Sequence, residues 1–334
     1  MLLSIISAIL FWNGLGWMQA ADNVILSIRG LTKSYGDLIA VRDLSLDIRK
    51  GEIFGFLGPN GAGKTTTISM ICGLLKSDAG EILIDGRPLQ ENYAQFRRLM
   101  GLCPQDLIIW ESLTCLEQLE FTAQLYDVRR IAARKKALEI LEILGLLQKK
   151  NKLAKTLSGG MKRRLNIALA LIHEPQILIL DEPQAGLDPQ SRVLVREYIQ
   201  SLVKKITVIL TTHDMDEADR LAERIAIIDH GQLLVLDTSD NLKSKIGEGD
   251  ILEIKISEGQ EEKLARLQQA LPENLSHLAY QQEVLRLVGV NIPEALPLLL
   301  ENFRQNRLKI EDMTIRKKTL EDVFISLTGR GLRE

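Results

Sequence analysis

The chain has 334 residues, 46% of them apolar, which is more than one ordinary domain holds and enough for a sizeable core. Forty-two basic against 44 acidic residues leave a formal charge of −2, so no field favours nucleic acid as the main partner, and the apolar fraction with 26% charged residues and few aromatics is that of an ordinary soluble α/β protein rather than a disordered or membrane-spanning one. Three scattered cysteines, Cys72, Cys103 and Cys115, have neither disulfide nor metal spacing and read as small, mostly buried side chains in a reducing compartment.

The opening MLLSIISAILFW is apolar, and no lysine or arginine precedes Arg29. A secretory signal usually starts with basic residues and a spanning helix needs about 20 apolar ones, so neither fits well. Residues 1–22 are therefore read as an apolar extension, with local packing, membrane contact and a cleaved signal all open. From Asn23 the pattern is β-rich: VILSI, then LIAVRDLSLDI with near period-two alternation, then EIFGFL running into a glycine turn. After the helix KTTTISMICGLL, GEILIDGRPL reads as a hairpin. Residues from about 93 to 165 read mostly as a helical insertion, with apolar residues spaced at three and four. The strand QILILDEP, the helix SRVLVREYIQSLVKK, the strand ITVILTTH and a hairpin around His230 and Gly231 follow. Alternating apolar strands and helices imply a largely parallel sheet with ligands at its carboxyl ends. A first domain is thus expected over 23–245. Beyond it, 246–334 reads as a separate accessory domain with the order βαββαβ, which is ferredoxin-like.

GPNGAGKTT, Gly58 to Thr66, fits the phosphate loop G-x-x-x-x-G-K-[ST]. Its residues Gly58, Pro59, Asn60, Gly61, Ala62 and Gly63 would turn backbone N–H groups toward an anion, and the following helix adds its positive end. Lys64 would reach the β and γ phosphates, and Thr65, followed by Thr66, would offer a hydroxyl to Mg²⁺. Asp181, ending an apolar strand, can hold Mg²⁺ through its hydration shell, and Glu182 after it can polarise an attacking water. A second glycine turn, LSGGMKRR, opens another helix, where Ser158, Gly159 and Gly160 form a further anion site. The basic run Lys162 to Arg164 is expected to be a solvated face and partner contact.

In order, GPNGAGKTT, CPQD, LSGGMKRR, ILILDEPQAGLDP and TTHDMDEA resemble the motifs of ABC transporter ATP-binding subunits, over about Val24 to Lys243. SGGMKRR, GLDPQSR and the tail TLEDVFISLTGRGLRE are most similar to the branch of daunorubicin-type drug exporters and sodium exporters. The resemblance implies an α/β P-loop ATPase with a mixed core sheet, an antiparallel β subdomain, a helical insertion and a small α+β C-terminal domain. It implies that Tyr35 stacks on adenine, that Gln105 touches Mg²⁺ and the attacking water, and that His213 contacts the γ phosphate. Asp188 is implied to sit between two protomers, a role compatible with capping its helix. It further implies ATP and Mg²⁺ as cofactors and a head-to-tail pair with a second copy or homologous subunit. In that pair Ser158 and Gly160 of one chain cover the nucleotide held by Gly58 to Thr66 of the other. A separate integral membrane permease, a peripheral place on the cytoplasmic face of the membrane, and export driven by ATP hydrolysis complete the expectation. A non-transport or regulatory ABC ATPase is the alternative. One departure stands out: Gln184 follows DEP, where the family usually has threonine.

Overall fold

The computed structural model describes residues 23–257, 271–281 and 283–329. The apolar extension 1–22 and nearly all of EEKLARLQQAL (261–271), the first helix of the expected βαββαβ order, lie outside the described residues. The described chain divides into two compact units between Val235 and Leu236.

The first unit contains two sheets. Strands β1 (Val24–Tyr35), β2 (Leu38–Arg49), β4 (Ala79–Ile84) and β5 (Arg87–Pro88) form an antiparallel sheet in the order β2-β1-β4-β5. The alternation seen in β2 buries Leu44, Leu46 and Ile48 on one face, as a period of two dictates. The second sheet joins β3 (Ile53–Leu57), β6 (Met100–Cys103), β7 (Ile177–Asp181), β8 (Thr207–Thr212), β9 (Arg224–Asp229) and β10 (Gln232–Asp237). Its order is β10-β9-β3-β8-β7-β6, with β9, β3, β8, β7 and β6 parallel. Every residue of β3, β7 and β8 is buried, which is why these strands are unbroken apolar runs rather than alternating ones.

Helices in this unit are α1 (Lys64–Ile71), α2 (Tyr93–Phe96), α3 (Cys115–Leu125), α4 (Arg130–Ile143), α5 (Gly159–Leu171), α6 (Pro189–Ser201) and α7 (Met215–Leu221). One apolar cluster fuses Leu119 of α3, Leu141 of α4 and Leu165 of α5 to Leu178, Leu180, Val208 and Leu210 of the sheet. Each such fully buried leucine contributes on the order of 2 kcal/mol. Strand β6 interrupts the stretch read as helical from residue 93 and adds an edge to the core sheet.

The second unit carries β11 (Asp250–Ile256), β12 (Leu275–Gln281), β13 (Val284–Gly289) and β14 (Ile310–Arg316) as an antiparallel sheet, order β12-β13-β11-β14. That is the second-third-first-fourth order a βαββαβ chain takes. The unit also has α8 (Ser239–Ser244), α9 (Ile292–Gln305) and α10 (Leu320–Thr328). Leu299 and Phe303 of α9 pack on Leu252, Ile254, Leu285 and Leu287, while α10 packs against α8. Arg316 pairs with Asp322, fully buried in α10, and with Glu253 of β11, each at 2.7 Å. Among the described residues, no helix is long and apolar enough to cross a membrane.

Candidate functional site

Parallel register collects the site along one sheet edge. Leu57 pairs with Thr212, Asp181 with Thr211, and Cys103 with Leu180, so Gly58, His213, Glu182 and Pro104 all leave the sheet at its carboxyl edge. Strands step by roughly 4.8 Å, which places four motifs distant in sequence within one ligand's length.

The phosphate loop begins where β3 ends. Gly63 has φ of 98°, and a Cβ there would lie 2.3 Å from the Ala40 carbonyl oxygen, so only glycine fits. The β9–β10 turn holds the loop from outside, Gly231 N donating to Ala62 O at 3.1 Å. Lys64 is 6% exposed, and its Nζ donates to Gly58 O at 2.6 Å and Pro59 O at 3.0 Å. Burial lowers its pKa below the ordinary lysine value, and the nearby carboxylates of Glu182 and Asp181 oppose that shift. Lysine and acids therefore share one electrostatic neighbourhood. Asn60, Gly61 and Thr65 are exposed on the open rim, and Thr66 is half-buried.

Asp181 and Glu182 are both buried, at the end of β7. The Thr211 hydroxyl donates to Asp181 Oδ1, and Glu182 N donates to the Thr211 carbonyl at 3.1 Å. Glu182 adopts φ of 51°, in the left-handed region, which turns it away from the direction of Asp181. Its carboxylate meets His213 Nδ1, at 2.8 Å for Oε1 and 2.7 Å for Oε2. With Nδ1 donating, Nε2 is left as the acceptor. The His213 side chain remains 52% exposed.

The basic run in LSGGMKRR is not a solvated face. Arg163 is 4% exposed and Arg164 7% exposed. Arg164 Nη1 donates to Leu144 O at 2.8 Å, capping the end of α4, and Lys162 pairs with Glu111 at 2.8 Å. Arg163 donates to carbonyls of Asp181, Glu182 and Pro183 on the acidic turn and of Pro104 and Gln105 on the turn after β6. A helix apolar on most sides leaves the cations of its second turn little solvent to reach, so they find main-chain partners instead. The Gln105 side chain itself is exposed.

Ser158 caps α5, its Oγ accepting from Met161 N at 3.3 Å, and Ser158 and Gly159 are exposed. Gly160 is buried, and a Cβ on it would lie 2.8 Å from Ser191 Oγ and 3.2 Å from Asp188 Oδ2. The glycine thus lets α5 approach the start of α6. Asp188 caps α6, accepting from Ser191 N at 2.9 Å and Ser191 Oγ at 2.7 Å, and these bonds hold its carboxyl below the usual range. Tyr35, 51% exposed, ends β1 opposite Leu38, two residues before the Ala40 that touches Gly63. Gln184 is buried, with its side-chain nitrogen unpartnered among the described residues.

No cluster of three or more metal-binding side chains occurs among the described residues. Mg²⁺ takes one or two protein oxygens and fills its shell with phosphate and water. Asp181 and the exposed Thr65 supply hard oxygens of that kind at the loop and strand ends, with Gln105 a further oxygen donor.

A family model described as ABC transporter matches residues 41–185. The linearmycin resistance ATP-binding protein LnrL of Bacillus subtilis is 35% identical over 311 residues, covering 93% of this chain and 100% of that protein. The daunorubicin/doxorubicin resistance ATP-binding protein DrrA of Streptomyces peucetius is 35% identical over 315 residues, covering 93% and 94%. The dimeric post-hydrolysis structure of the ATP-binding cassette MJ0796, bound to ADP and Pi, superimposes with a TM-score of 0.59 at 28% identity, over 64% of this chain and 98% of that one. The chain belongs to the ATP-binding subunits of ABC transporters, in the drug-exporter branch.

Proposed function

We propose that this chain binds and hydrolyses ATP as one half of a head-to-tail pair, and that the pair drives export through a separate membrane permease. The observation carrying the proposal is the Glu182–His213 pair at the sheet edge that also holds Lys64. A base, a polarising imidazole and a phosphate-binding ammonium there are the elements that phosphoryl transfer to water requires.

In the proposed reaction the adenine lies on Tyr35 and the phosphates lie in the turn Gly58 to Thr66. Thr65 and Asp181, with Gln105, would hold Mg²⁺, which supplies charge neutralisation on the phosphate oxygens. Water attacks the γ phosphorus in line. Glu182 takes its proton, His213 fixes its direction, and the bond to the bridging oxygen breaks, releasing ADP and phosphate. Lys64 stabilises charge developing on the γ oxygens. Ser158 and Gly159, exposed at the positive end of α5, with Asp188 exposed on the neighbouring cap, support a site completed by a second copy. ATP bridging the two copies favours the closed pair because it binds that state preferentially.

The permease would meet a cleft of about 280 Å³ lined by Leu74, Tyr93, Ile108, Trp110, Tyr126 and His173. Exposed Leu107, Phe121 and Leu125 extend the apolar surface, and Trp110 packs edge-on to Phe121 at 5.4 Å. Such a patch on the α3 side suits an amphipathic helix of a partner. Localisation at the cytoplasmic face follows from that docking.

Mixing Lys64→Ala chains with Ser158→Arg chains tests the composite site. Each variant alone lacks every intact site, whereas random pairing restores one site in half the dimers, which should close on ATP there. A mixture in which no dimer holds ATP in a closed state would contradict the composite site. Co-sedimentation with membranes only when a polytopic partner is co-expressed tests the permease.

A further inference from the structure

The guanidinium of Arg163 uses all five of its N–H donors on main-chain carbonyls. Nη2 reaches Asp181 O at 2.5 Å and Glu182 O at 2.7 Å, Nε reaches Pro183 O at 3.2 Å, and Nη1 reaches Pro104 O at 2.6 Å and Gln105 O at 3.0 Å. Three residues on, and so on the same side of α5, Asn166 takes up the rest of the second turn. Its Oδ1 accepts from Ile108 N at 3.2 Å, and its Nδ2 donates to Asp106 O at 3.4 Å. One helix therefore fixes two backbone turns at the carboxyl edge of the sheet: the turn bearing Glu182 and the turn bearing Gln105.

The same helix begins at Ser158. Five residues separate Ser158 from Arg163, about 7.5 Å along the axis. Gly160 leaves no room against Ser191 and Asp188, and Arg164 fastens α5 to the end of α4 at Leu144. A first turn so tightly packed moves as a unit, and a guanidinium with no idle donor passes that movement to its five carbonyls. Because those partners are backbone atoms, the link acts on where the Glu182 and Gln105 main chain lies rather than on any one side chain.

We propose that Arg163 is a positioning residue that transmits occupancy of the Ser158–Gly160 turn to Glu182 and Gln105 of the same chain. A nucleotide held by the partner's phosphate loop then sets the catalytic geometry of this chain's own site, so the two sites of a pair hydrolyse cooperatively. This rests on the paired-site reading above.

The test uses the full chain with Arg163→Gln and Arg163→Lys. It measures ADP affinity, ATP-driven pairing, and hydrolysis as a function of ATP concentration. ADP needs only the chain's own phosphate loop, so its affinity should stay within about twofold. In Arg163→Gln, kcat should fall about 100-fold, as misplacement by an ångström does, and the Hill coefficient should drop from about 2 to about 1. Lysine keeps the charge but lacks the planar fork, so Arg163→Lys should recover part of kcat. ADP affinity falling in step with kcat would mark a role in folding alone and overturn the proposal. If Arg163→Gln does not fold, Arg163→Lys decides: lowered kcat with intact ADP binding supports transmission, and parental kcat overturns it. A parent chain that hydrolyses ATP without pairing or cooperativity sinks the paired-site reading and transmission together. Cooperativity surviving in Arg163→Gln sinks transmission alone.

Discussion

Replacing Glu217 by glutamine should change stability in a pH-dependent way. Glu217 is 5% exposed, its Oε2 accepts from the Thr212 hydroxyl at 2.6 Å, and its Oε1 is buried without a hydrogen-bond partner among the described residues. Burial raises the carboxyl from its ordinary 4.5 to about 7, the Thr212 bond opposes the rise, and the charges of Asp214 and Glu182 add to it. Between 4.5 and about 7 the folded chain keeps a proton that the unfolded chain has lost. This group's contribution to stability therefore falls as pH rises through that window and is constant above it. The gap corresponds to about 3 kcal/mol. Glutamine keeps an acceptor for Thr212 and never ionises. The variant should match the parent at pH 4, exceed it by about 1 kcal/mol at pH 5 and by about 3 kcal/mol at pH 8. Denaturant unfolding followed by tryptophan fluorescence reads this, since Trp110 lies in the same unit as Glu217. A difference independent of pH would refute the reasoning. Because Thr212 directly precedes His213, hydrolysis in the variant should stay close to parental at neutral pH, the hydrogen bond being kept.

Asp188→Ala removes the cap on α6 and should lower the denaturant midpoint of unfolding. It should also weaken ATP-driven pairing more than that loss explains, and pairing equal to the parent's would deny Asp188 a place at the contact. In the second unit, Asp322→Ala takes the fully buried carboxylate from Arg316 and leaves Glu253 to hold it. Calorimetry should show that unit weakened by about 3 kcal/mol; a loss below about 0.5 kcal/mol would show the network to be solvated.

What sequence revealed and what it hid divide along the range of the interactions. The phosphate loop is local: its glycine and lysine spacing is the geometry, and Gly63 occupies the left-handed conformation that spacing predicts. Asp181 was legible because β7 is a buried strand that stops in acids. The Asp188 cap was legible because Asp-Pro ahead of a helix has one common use, and the structure shows it. The role of Arg163 was not legible, since its partners lie 18 to 59 residues away and are carbonyls, which no residue type announces. One signal existed: LNIALALI continues α5 as a helix apolar on most sides, so cations at its start had to be buried. Strand β6 was hidden for a different reason. Its four residues are too few to show a period, and only pairing with β7 makes them a strand. The consequence of Gln184 for the turn shows only in the fold, where its amide nitrogen is buried without a partner among the described residues.

The most direct measurement is ATP hydrolysis and ATP-dependent pairing of Glu182→Gln in one preparation. Glutamine preserves size and the His213 contact but cannot take the proton from water. Turnover should fall at least about 100-fold while ATP converts the chain from monomer to dimer, the closed pair persisting because nothing cleaves the bridging nucleotide. Near-parental hydrolysis would remove Glu182 as the base, and a variant that binds ATP yet stays monomeric would contradict the composite site.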